Sequence, residues 1–369
     1  METKYNIVKQ AIKSKILDGS FLPHQKISSE SEIMKQFGVS RHTVRLAIGD
    51  LVNQGWLYRK QGSGTFCADR SKEETPLSNR EQYKNIAIIT TYISDYIFPS
   101  IIRGAESYLS DQGYHVSLFS TNNDHHVEKQ ILEKILTQQF DGIIIEPTKS
   151  AVSNPNLNYY LNLERLEIPY IMINSFYDEL EPISITINDE QGGKNQTQHL
   201  IDLGHREILG IFKTDDIQGT RRMKGYIKAH RQNGLSINPN NIVTYNTSEK
   251  LIKPAEALRK SLSSAENKPT AIVCYNDELA INLLHVLRDM DLQVPNDISI
   301  VGFDDSFLAN VSEVKLTTIE HPKAEMGVMA GKMILSLVES NEGDESKSKP
   351  ESVIYESNLV ERSSTMRLN

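Results

Sequence analysis

Two short amphipathic segments, separated by only two residues, constrain this chain more than any other feature of its sequence. Ser29 followed by Glu32 is a capping box, which predicts the start of a short helix that Gly38 closes. Ser40 is a good N-cap for the next helix, where apolar residues recur at helical spacing up to residue 52. Because so few residues connect them, the two helices must turn sharply on one another, which predicts a helix-turn-helix.

The outward face of the second of these helices is basic near its N-terminal end. Once the apolar stripe is buried, Arg41, His42 and Arg45 remain outside, where a recognition helix presents its side chains to bases and phosphates. An ordinary amphipathic helix with solvated basic residues would show the same pattern. The neighbouring segments favour DNA binding.

These neighbouring segments complete a small DNA-binding fold. An apolar stripe from Tyr5 to Ile16 predicts a preceding helix. Two β-prone runs at 56–58 and 65–67 flank the basic, glycine-containing stretch 59–64 and predict a hairpin. Three helices and a hairpin whose glycines permit close approach to a phosphate predict a winged helix-turn-helix.

The charge distribution divides the chain into a basic head, residues 1–70, and an acidic body, residues 85–369. The first 70 residues carry 11 Lys and Arg against 6 Asp and Glu, whereas the rest carry 29 against 42. A basic module on an acidic regulatory or catalytic domain suggests a polyanion as the partner of the head. The polar stretch 71–84, broken by Pro76, predicts a linker that lets head and body move independently.

Several classes of protein are excluded by composition. No apolar run approaches the roughly 18 residues that a membrane span needs, and the first ten residues lack the pattern of a secretory signal. Cys67 and Cys274 lie far apart and have no metal-ligand spacing. We therefore expect a soluble, cytoplasmic protein without a zinc site or a membrane partner.

In the body, short apolar runs alternate with amphipathic stretches. The predicted strands are Ile86–Thr91, Tyr114–Ser120, Gly142–Glu146, Tyr170–Asn174, Ile208–Phe212, Thr270–Tyr275 and Ile298–Phe303. The predicted helices are Ser100–Gln112, Val127–Gln139, Glu190–Leu203, Gln218–Asn233 and Asp277–Met290. This alternation predicts an α/β fold of doubly wound parallel sheets, and the length of the body predicts two lobes.

Ligands of such sheets bind beyond the carboxyl ends of the strands. Those ends carry hydroxyl, amide, carboxylate and aromatic side chains at residues 90–92, 174–176, 275–277 and 303–305. Such groups suit a polyhydroxylated ligand, because polar side chains bind its hydroxyls and flat rings contact its apolar face. Since the only tryptophan is in the head, the candidate rings are Phe98, Phe176, Tyr275 and Phe307.

An enzyme is not indicated. The phosphate-binding and nucleophile-elbow motifs are missing from the sequence, and the adjacent pairs Asp215-Asp216 and Asp304-Asp305 point in different directions. The pair His125-His126 stands in a polar run that is typical of a solvated loop, although a metal site is the alternative. No catalytic residue and no cofactor are assigned.

A family resemblance in the head is carried by ISSESEIMKQFGVSRHTVRLAIGDLVNQGWLYRKQGSGTF. The segment resembles the DNA-binding domain of GntR-type regulators, with its VSR-x-TVR run and its wing ending in GTF. The resemblance implies contact with operator DNA, in which Glu30 can accept from a cytosine amine and the basic side chains bind bases and phosphates. The implied contact residues are Lys4, Ser29, Glu30, Arg41, His42, Thr43, Arg45, Gln61, Gly62 and Thr65.

The body resembles the effector domain of LacI/GalR repressors, which is similar to periplasmic sugar-binding proteins. The likeness is carried by NDEQGGKNQTQHLIDLGHREI, RRMKGY, CYNDELAINLLHVLRDMDLQVPNDISIVGFDDS and LTTIEHPKAEMG. It implies two lobes that close on a small molecule, dimerisation through the body, and ligand hydroxyls held by Arg222, Asn276 and Asp304. Asp189 and Asp277 are further candidates, each of which alternatively caps the helix that follows it.

Head and body together resemble the L-arabinose-responsive repressors of sugar-utilisation operons. The resemblance implies a homodimer that binds double-stranded operator DNA and leaves it when a sugar effector, L-arabinose first among candidates, is bound. Two alternatives stay open: an effector that is another pentose, a hexose or a nucleoside, and a sugar-binding protein or enzyme without a DNA role. A DNA-binding repressor should bind a polyanion with a steep salt dependence, and this property distinguishes it from the second alternative.

Overall fold

The computed structural model describes residues 3–69, 84–263, 268–341 and 349–368. Contacts between residues divide the chain into two compact units. The first comprises Met1–Asn85, His126–Asp141 and Pro155–Pro169, and the second comprises Ile86–His125, Gly142–Asn154 and Tyr170–Asn369. Apart from Lys84, the linker predicted at 71–84 lies outside the described residues.

The head forms the predicted winged helix-turn-helix. Its helices are α1 (Lys4–Leu17), α2 (Glu30–Phe37) and α3 (Arg41–Asn53), and its wing is the antiparallel hairpin of β1 (Leu57–Lys60) and β2 (Gly64–Cys67). The prediction for the wing is wrong in one respect. Arg59 and Lys60 belong to β1, where they pair with Thr65 and Gly64, so that the turn is confined to residues 61–63.

Side-chain caps begin the helices of the head. Thr3, Ser29 and Ser40 accept hydrogen bonds from backbone N–H groups in the first turns of α1, α2 and α3. Gly38 ends α2 with a φ of 60°, a left-handed conformation that glycine adopts without steric strain. The sharp turn between α2 and α3 follows from the left-handed Gly38 and the N-cap at Ser40.

One apolar core joins α1 to α3. Val8 and Ile12 from α1 and Val44 and Leu51 from α3 are at most 4% exposed. Burial of each such side chain contributes roughly 1.5–3 kcal/mol. These buried side chains hold α3 against α1, so that the opposite face of α3 is turned outward.

From residue 85 onward the chain builds two parallel sheets. The strands are β3 (Asn85–Thr90), β4 (His115–Ser120), β5 (Gly142–Ile145), β6 (Tyr170–Ile173), β7 (Ser184–Ile187), β8 (Ile208–Lys213), β9 (Ile242–Tyr245), β10 (Ala271–Cys274), β11 (Ser299–Val301), β12 (Thr318–Ile319), β13 (Val353–Tyr355) and β14 (Leu359–Val360). The helices are α4 (Phe98–Asp111), α5 (His125–Ile135), α6 (Leu157–Arg165), α7 (Asp189–Asp202), α8 (Ile217–Gln232), α9 (Lys253–Ser263), α10 (Asp277–Asp289), α11 (Phe307–Val311) and α12 (Lys323–Asn341).

The two larger sheets have the orders β13-β7-β6-β5-β3-β4 and β11-β10-β8-β9, and β12 and β14 form a separate antiparallel pair. The β3–β5, β5–β6, β6–β7 and β7–β13 pairs of the first sheet are parallel, and so are all three pairs of the second. The predicted fold class, with a parallel sheet in each lobe, is confirmed. In the second sheet alternate residues enter different cores: Ile272 lies among residues of α9 and α10, and Val273 among residues of α7 and α8.

The predicted element boundaries differ from the observed ones in several places. Helix α4 begins at Phe98 because Pro99 fits the first turn, and α5 ends at Ile135. The expected loop at His125-His126 is wrong, since both residues open α5 and His125 Nε2 lies 3.0 Å from the Thr148 carbonyl. Strands β7, β9, β12, β13 and β14 were not predicted, because they are too short to show a clear periodicity.

The first unit includes α6 and most of α5 in addition to the head. The Ser14 hydroxyl of α1 lies 2.8 Å from Glu133 Oε1 and 2.9 Å from the Tyr159 hydroxyl. Asn162 Nδ2 of α6 donates to the Leu17 carbonyl over 2.6 Å. The C-terminal end of α1 therefore has hydrogen-bond partners outside residues 1–70. None of the helices in the described ranges is long and apolar enough to span a bilayer.

Candidate functional site

The outward face of α3 carries the side chains predicted to contact DNA. Arg41, His42 and Arg45 are exposed. Thr43 is partly buried, and its hydroxyl lies 2.9 Å from that of the N-cap residue Ser40. The basic groups thus stand on the N-terminal half of a helix anchored from behind, which is the geometry of a recognition helix.

Arg45 and Glu30, both predicted to contact the operator, form an ion pair. Arg45 Nε donates to the two Glu30 carboxylate oxygens over 3.0 and 3.2 Å, and 61% of the Arg45 side chain is exposed. Exposed pairs of this kind contribute about 0–1 kcal/mol. Glu30 therefore orients the Arg45 guanidinium, and a base or a phosphate can replace Glu30 as its partner.

Ser29 is engaged in the capping box of α2. Its backbone N–H donates to Glu32 Oε2 over 2.7 Å, and its hydroxyl oxygen accepts from the Glu32 N–H over 3.3 Å. A phosphate at this helix start must compete with the Glu32 carboxylate.

The remaining predicted DNA contacts lie on the wing and at the start of α1. Gln61 and Gly62 are exposed in the turn of the hairpin, and Thr65 is partly buried in β2 opposite Arg59. Lys4, the first residue of α1, is exposed. The wing turn thus offers an amide side chain and a glycine to a groove edge.

The second unit contains a cavity of about 420 Å³. Its lining includes six of the polar and aromatic residues at the predicted strand ends: Thr91, Tyr92, Asn174, Tyr275, Asn276 and Asp304. Small-molecule sites typically enclose roughly 300–1,000 Å³. The two parallel sheets therefore bring their strand ends together around a space of the size that a small ligand needs.

Arg222, on α8, is a buried cation in the lining of this cavity and is 3% exposed. Its Nε donates to Asp189 Oδ1 over 2.8 Å, its Nη2 to Asp304 Oδ1 over 3.2 Å and its Nη1 to the Tyr275 carbonyl over 2.7 Å. The guanidinium lies 3.5 Å from the centre of the Phe303 ring. Burial lowers the pKa of Arg222, but the Asp304 and Asp189 carboxylates outweigh it, so that the pKa is raised above its ordinary value.

Close contact between α7 and α8 sets the position of Arg222. A Cβ atom added at Gly193 of α7 would overlap the backbone of Arg222, and one at Gly225 of α8 would overlap the backbone of Glu190. The two helices approach this closely only because both positions lack a side chain. The glycines bring the guanidinium within reach of Asp189.

Two predicted ligand-binding carboxylates do not line the cavity. Asp189 lies behind Arg222, and Asp277 accepts from the Ser306 N–H over 2.8 Å and the Thr318 hydroxyl over 2.7 Å. Burial raises the pKa of Asp277 to about 7, against the hydrogen bonds from Ser306 and Thr318. Both carboxylates support neighbouring residues.

The alternative that these aspartates cap the following helices is also wrong. The caps are the residues before them: the Asn188 side chain accepts from the Gln191 N–H and the Asn276 side chain from the Leu279 N–H. Asn276 therefore lines the cavity with its amide oxygen engaged, which leaves its NH₂ group to bind a ligand hydroxyl.

Four non-glycine residues in the lining have a left-handed backbone. They are Tyr96 (φ 59°), Asn123 (φ 54°), Asn174 (φ 63°) and Asp304 (φ 92°). Such conformations are strained for residues with a Cβ, and they concentrate at functional sites where surrounding contacts hold them. Eight other residues of the described ranges share this conformation outside the lining, so the strain is not confined to the cavity.

Glu146 is a cavity residue that sequence reasoning missed. It is 5% exposed and accepts from the Thr91 N–H and hydroxyl over 2.9 and 2.6 Å and from Asn174 Nδ2 over 3.0 Å. Burial raises its pKa to about 7, although these hydrogen bonds oppose the shift. Its place directly after the apolar strand β5 was the signal in the sequence.

Lys213 and Asp216 were missed as well. Lys213 ends β8, and its Nζ donates to Asp216 Oδ2 over 2.6 Å. Burial lowers the pKa of Lys213, but the Asp216 and Asp215 carboxylates raise it by more, so that the pKa lies above its ordinary value and the ammonium is retained. The Tyr275 hydroxyl donates to the same Asp216 oxygen over 3.1 Å. The cavity thus contains a second cation–carboxylate pair.

Two further missed residues come from loops and gave no sequence signal. The Tyr96 hydroxyl contacts Asp304, and His321 Nε2 lies 3.2 Å from Asn174 Oδ1. Burial lowers the pKa of His321 to about 4, so the ring is neutral at pH 7.

Of the four aromatic candidates for ligand contact, two line the cavity. Phe98 and Tyr275 do so, together with Tyr92, Tyr96 and Tyr245. Phe176 instead lies under the Arg221 guanidinium, 5.3 Å from its ring centre, and Phe307 is 75% exposed. Among the described residues no group of three or more His, Cys, Asp or Glu side chains is placed to hold a metal ion.

Both parts of the chain match known families. Residues 4–67 match the bacterial regulatory proteins of the gntR family, and residues 197–365 match the periplasmic binding protein-like domain. Among solved structures, the transcription regulator CcpA of Lactococcus lactis superimposes with a TM-score of 0.66 at 23% identity, over 76% of this chain and 98% of that one. That likeness shows a shared fold.

Two relatives match nearly the whole chain, and each is described as an arabinose metabolism transcriptional repressor. The protein from Halalkalibacterium halodurans is 60% identical over 99% of this chain and 97% of the relative. The protein from Geobacillus stearothermophilus is 50% identical over 99% of this chain and 98% of the relative. Because this identity spans both the winged helix and the cavity, the chain belongs to the family of arabinose metabolism transcriptional repressors.

Proposed function

We propose that the chain represses genes of arabinose utilisation by binding operator DNA as a homodimer, and that L-arabinose bound beside Arg222 releases it. The observation that carries the proposal is the presence in one chain of an exposed basic recognition helix and a small-molecule cavity built around a buried guanidinium. The names of the two full-length relatives support arabinose as the sugar.

The chemistry of the cavity suits a sugar. Arg222, Asp304 and Glu146 supply donors and acceptors that can each engage two neighbouring hydroxyls, and Asn276 supplies a further donor. The rings of Phe98 and Tyr275 supply flat apolar surface for the C–H face of a sugar ring. The proposal assigns the chain a binding function, with neither a cofactor nor a chemical step.

Dimerisation through the body is part of the proposal. Leu251 and Ile252, just before α9, are 76% and 63% exposed, which favours an apolar contact with a second copy. A two-fold dimer presents two α3 helices to half-sites separated by whole turns of DNA. Such a repressor acts where the chromosome is, in the cytoplasm.

Fluorescence anisotropy with the full chain tests the proposal. A labelled duplex from upstream of arabinose genes is compared with a shuffled duplex of equal length, each titrated at several salt concentrations and with L-arabinose, D-xylose, D-ribose or a nucleoside. We expect preference for the upstream duplex, a steep salt dependence, and release by L-arabinose. Equal affinity for both duplexes would overturn the DNA role, and release by a different sugar would reassign the effector.

A further inference from the structure

The hydroxyl of Tyr96 connects the two parallel sheets. Tyr96 lies between β3 of the six-stranded sheet and α4. Its oxygen lies 2.8 Å from the Phe303 carbonyl and 2.8 Å from Asp304 Oδ2, in the segment that follows β11 of the four-stranded sheet. The backbone N–H of Asp277, at the start of α10, donates to the same oxygen over 3.0 Å. One phenol therefore ties a loop of one sheet to two segments of the other.

This phenol remains protonated at neutral pH. Burial raises the pKa of Tyr96 well above 10, and the nearby Asp304 and Asp277 carboxylates raise it further. The hydroxyl hydrogen is thus donated to Phe303 or Asp304, while the oxygen accepts from Asp277. The single hydroxyl hydrogen is committed to the protein, so Tyr96 does not donate a hydrogen bond to a ligand.

Tyr96 and Arg222 hold the Asp304 carboxylate from its two sides. Tyr96 contacts Oδ2, and Arg222 Nη2 donates to Oδ1 over 3.2 Å. The Asp304 backbone is left-handed, with a φ of 92°, so other contacts must maintain this conformation. Loss of either partner frees the carboxylate to turn away from the cavity.

We propose that Tyr96 is a positioning residue of the effector site, which aims the Asp304 carboxylate at Arg222 and the cavity and joins the two sheets in the arrangement that encloses the ligand. Tyr96 acts through Asp304 and not by donating to the sugar. The inference rests on the proposed function for the identity of the sugar and deepens it by adding a residue that sets affinity.

Calorimetric titration of the full chain with L-arabinose measures the contribution of the hydroxyl. Tyr96→Phe keeps the ring and removes only the hydroxyl, and we expect about tenfold weaker sugar binding because a hydrogen bond to a charged group is lost. The matched control is Tyr226→Phe, which removes a fully buried hydroxyl that donates to the Ile208 carbonyl over 2.7 Å outside the cavity lining. This control lowers the melting temperature and leaves affinity within twofold. Affinity equal to wild type in Tyr96→Phe overturns the proposal.

A double-mutant cycle tests whether Tyr96 acts through Asp304. In an Asp304→Asn background the acceptor charge is gone, so adding Tyr96→Phe should weaken L-arabinose binding less than twofold further. A full tenfold loss in that background contradicts action through Asp304.

Hydrogen exchange of the sugar-free protein gives a reading that does not depend on the ligand or on residual affinity of the variants. Tyr96→Phe should speed amide exchange in residues 303–306 and 277–279, on the other sheet, and leave the α8 amides unchanged. Unchanged exchange rates at both segments would contradict the proposal that Tyr96 joins the two sheets. If wild-type protein fails to bind L-arabinose, the proposed effector is wrong, and the exchange data alone decide the role of Tyr96.

Discussion

The Arg222 guanidinium and the Asp304 carboxylate form a buried ion pair between α8 and the segment after β11, with 3.2 Å between Nη2 and Oδ1. Asp189 binds the Nε edge of the same guanidinium, and the Phe303 ring covers its face. Removing one member of a buried pair leaves an uncompensated charge, which typically costs about 3–5 kcal/mol. The shape of the cavity therefore depends on this pair.

Arg222→Ala should abolish the sugar response while operator binding survives. The substitution removes the donor to Asp304 and Asp189 but lies in a different compact unit from α3. The matched control is Arg221→Ala, which removes the neighbouring guanidinium that lies over Phe176. Calorimetry measures the sugar affinity, and fluorescence anisotropy on the same preparations measures the operator affinity. Undiminished sugar affinity in Arg222→Ala would refute the assignment.

Arg45→Ala should weaken specific operator binding by about 1–3 kcal/mol, as expected for loss of an arginine that contacts bases. Arg45 is exposed on α3, and its pairing with Glu30 is weak enough to be exchanged for DNA. Arg259→Ala on α9 is a control of equal charge change at another exposed site. Gel-shift titrations at fixed salt give the comparison, and equal affinity of wild type and Arg45→Ala would remove Arg45 from the interface.

Glu146 should make the sugar-free protein less stable as pH rises. Its pKa is raised from 4.5 to about 7 by burial, so the folded state retains a proton that the unfolded state loses. Below pH 4.5 both states are protonated and the group has no effect; between pH 4.5 and 7 stability falls, by up to about 3 kcal/mol. Glu146→Gln cannot titrate and should lack this loss. Urea unfolding at pH 5 and 7.5 measures it, and an equal pH dependence in both proteins contradicts the raised pKa.

Two glycine substitutions should have opposite effects. Gly193→Ala puts a methyl group into the backbone of Arg222, so we expect a loss of about 1–3 kcal/mol of stability together with weaker sugar binding. Gly49→Ala, on α3, meets no atom within 4 Å and should stabilise the head by up to about 1 kcal/mol. Thermal unfolding and calorimetry of both variants decide. If Gly193→Ala changed neither the stability nor the sugar affinity, α7 and α8 could move apart without consequence.

Much of the site could be predicted because its signals are local. The capping box at Ser29 and the N-cap at Ser40 specify the helix-turn-helix from adjacent residues. The apolar strands are bounded by polar residues, and the carboxyl ends of parallel strands meet, so Asn174, Tyr275 and Asp304 could be placed around one cavity from the sequence.

The errors arose where neighbouring residues are chemically equivalent or where distant segments meet. Asn and Asp cap helices about equally well, so the sequence could not show that Asn276 is the cap and that Asp277 is the buried carboxylate. The contact of Tyr96 with Asp304 spans 208 residues, and that of Asn162 with Leu17 spans 145. No periodicity links such residues, because only the folded chain brings them together.

Thermodynamic reciprocity provides the most direct test of repression released by a sugar. If L-arabinose weakens operator binding, the operator must weaken L-arabinose binding by the same factor. Calorimetric titration of L-arabinose into the free full chain and into its complex with operator DNA measures both affinities. We predict weaker sugar binding to the complex, by the factor seen in the DNA titrations. Equal sugar affinity with and without operator DNA would contradict release by this route.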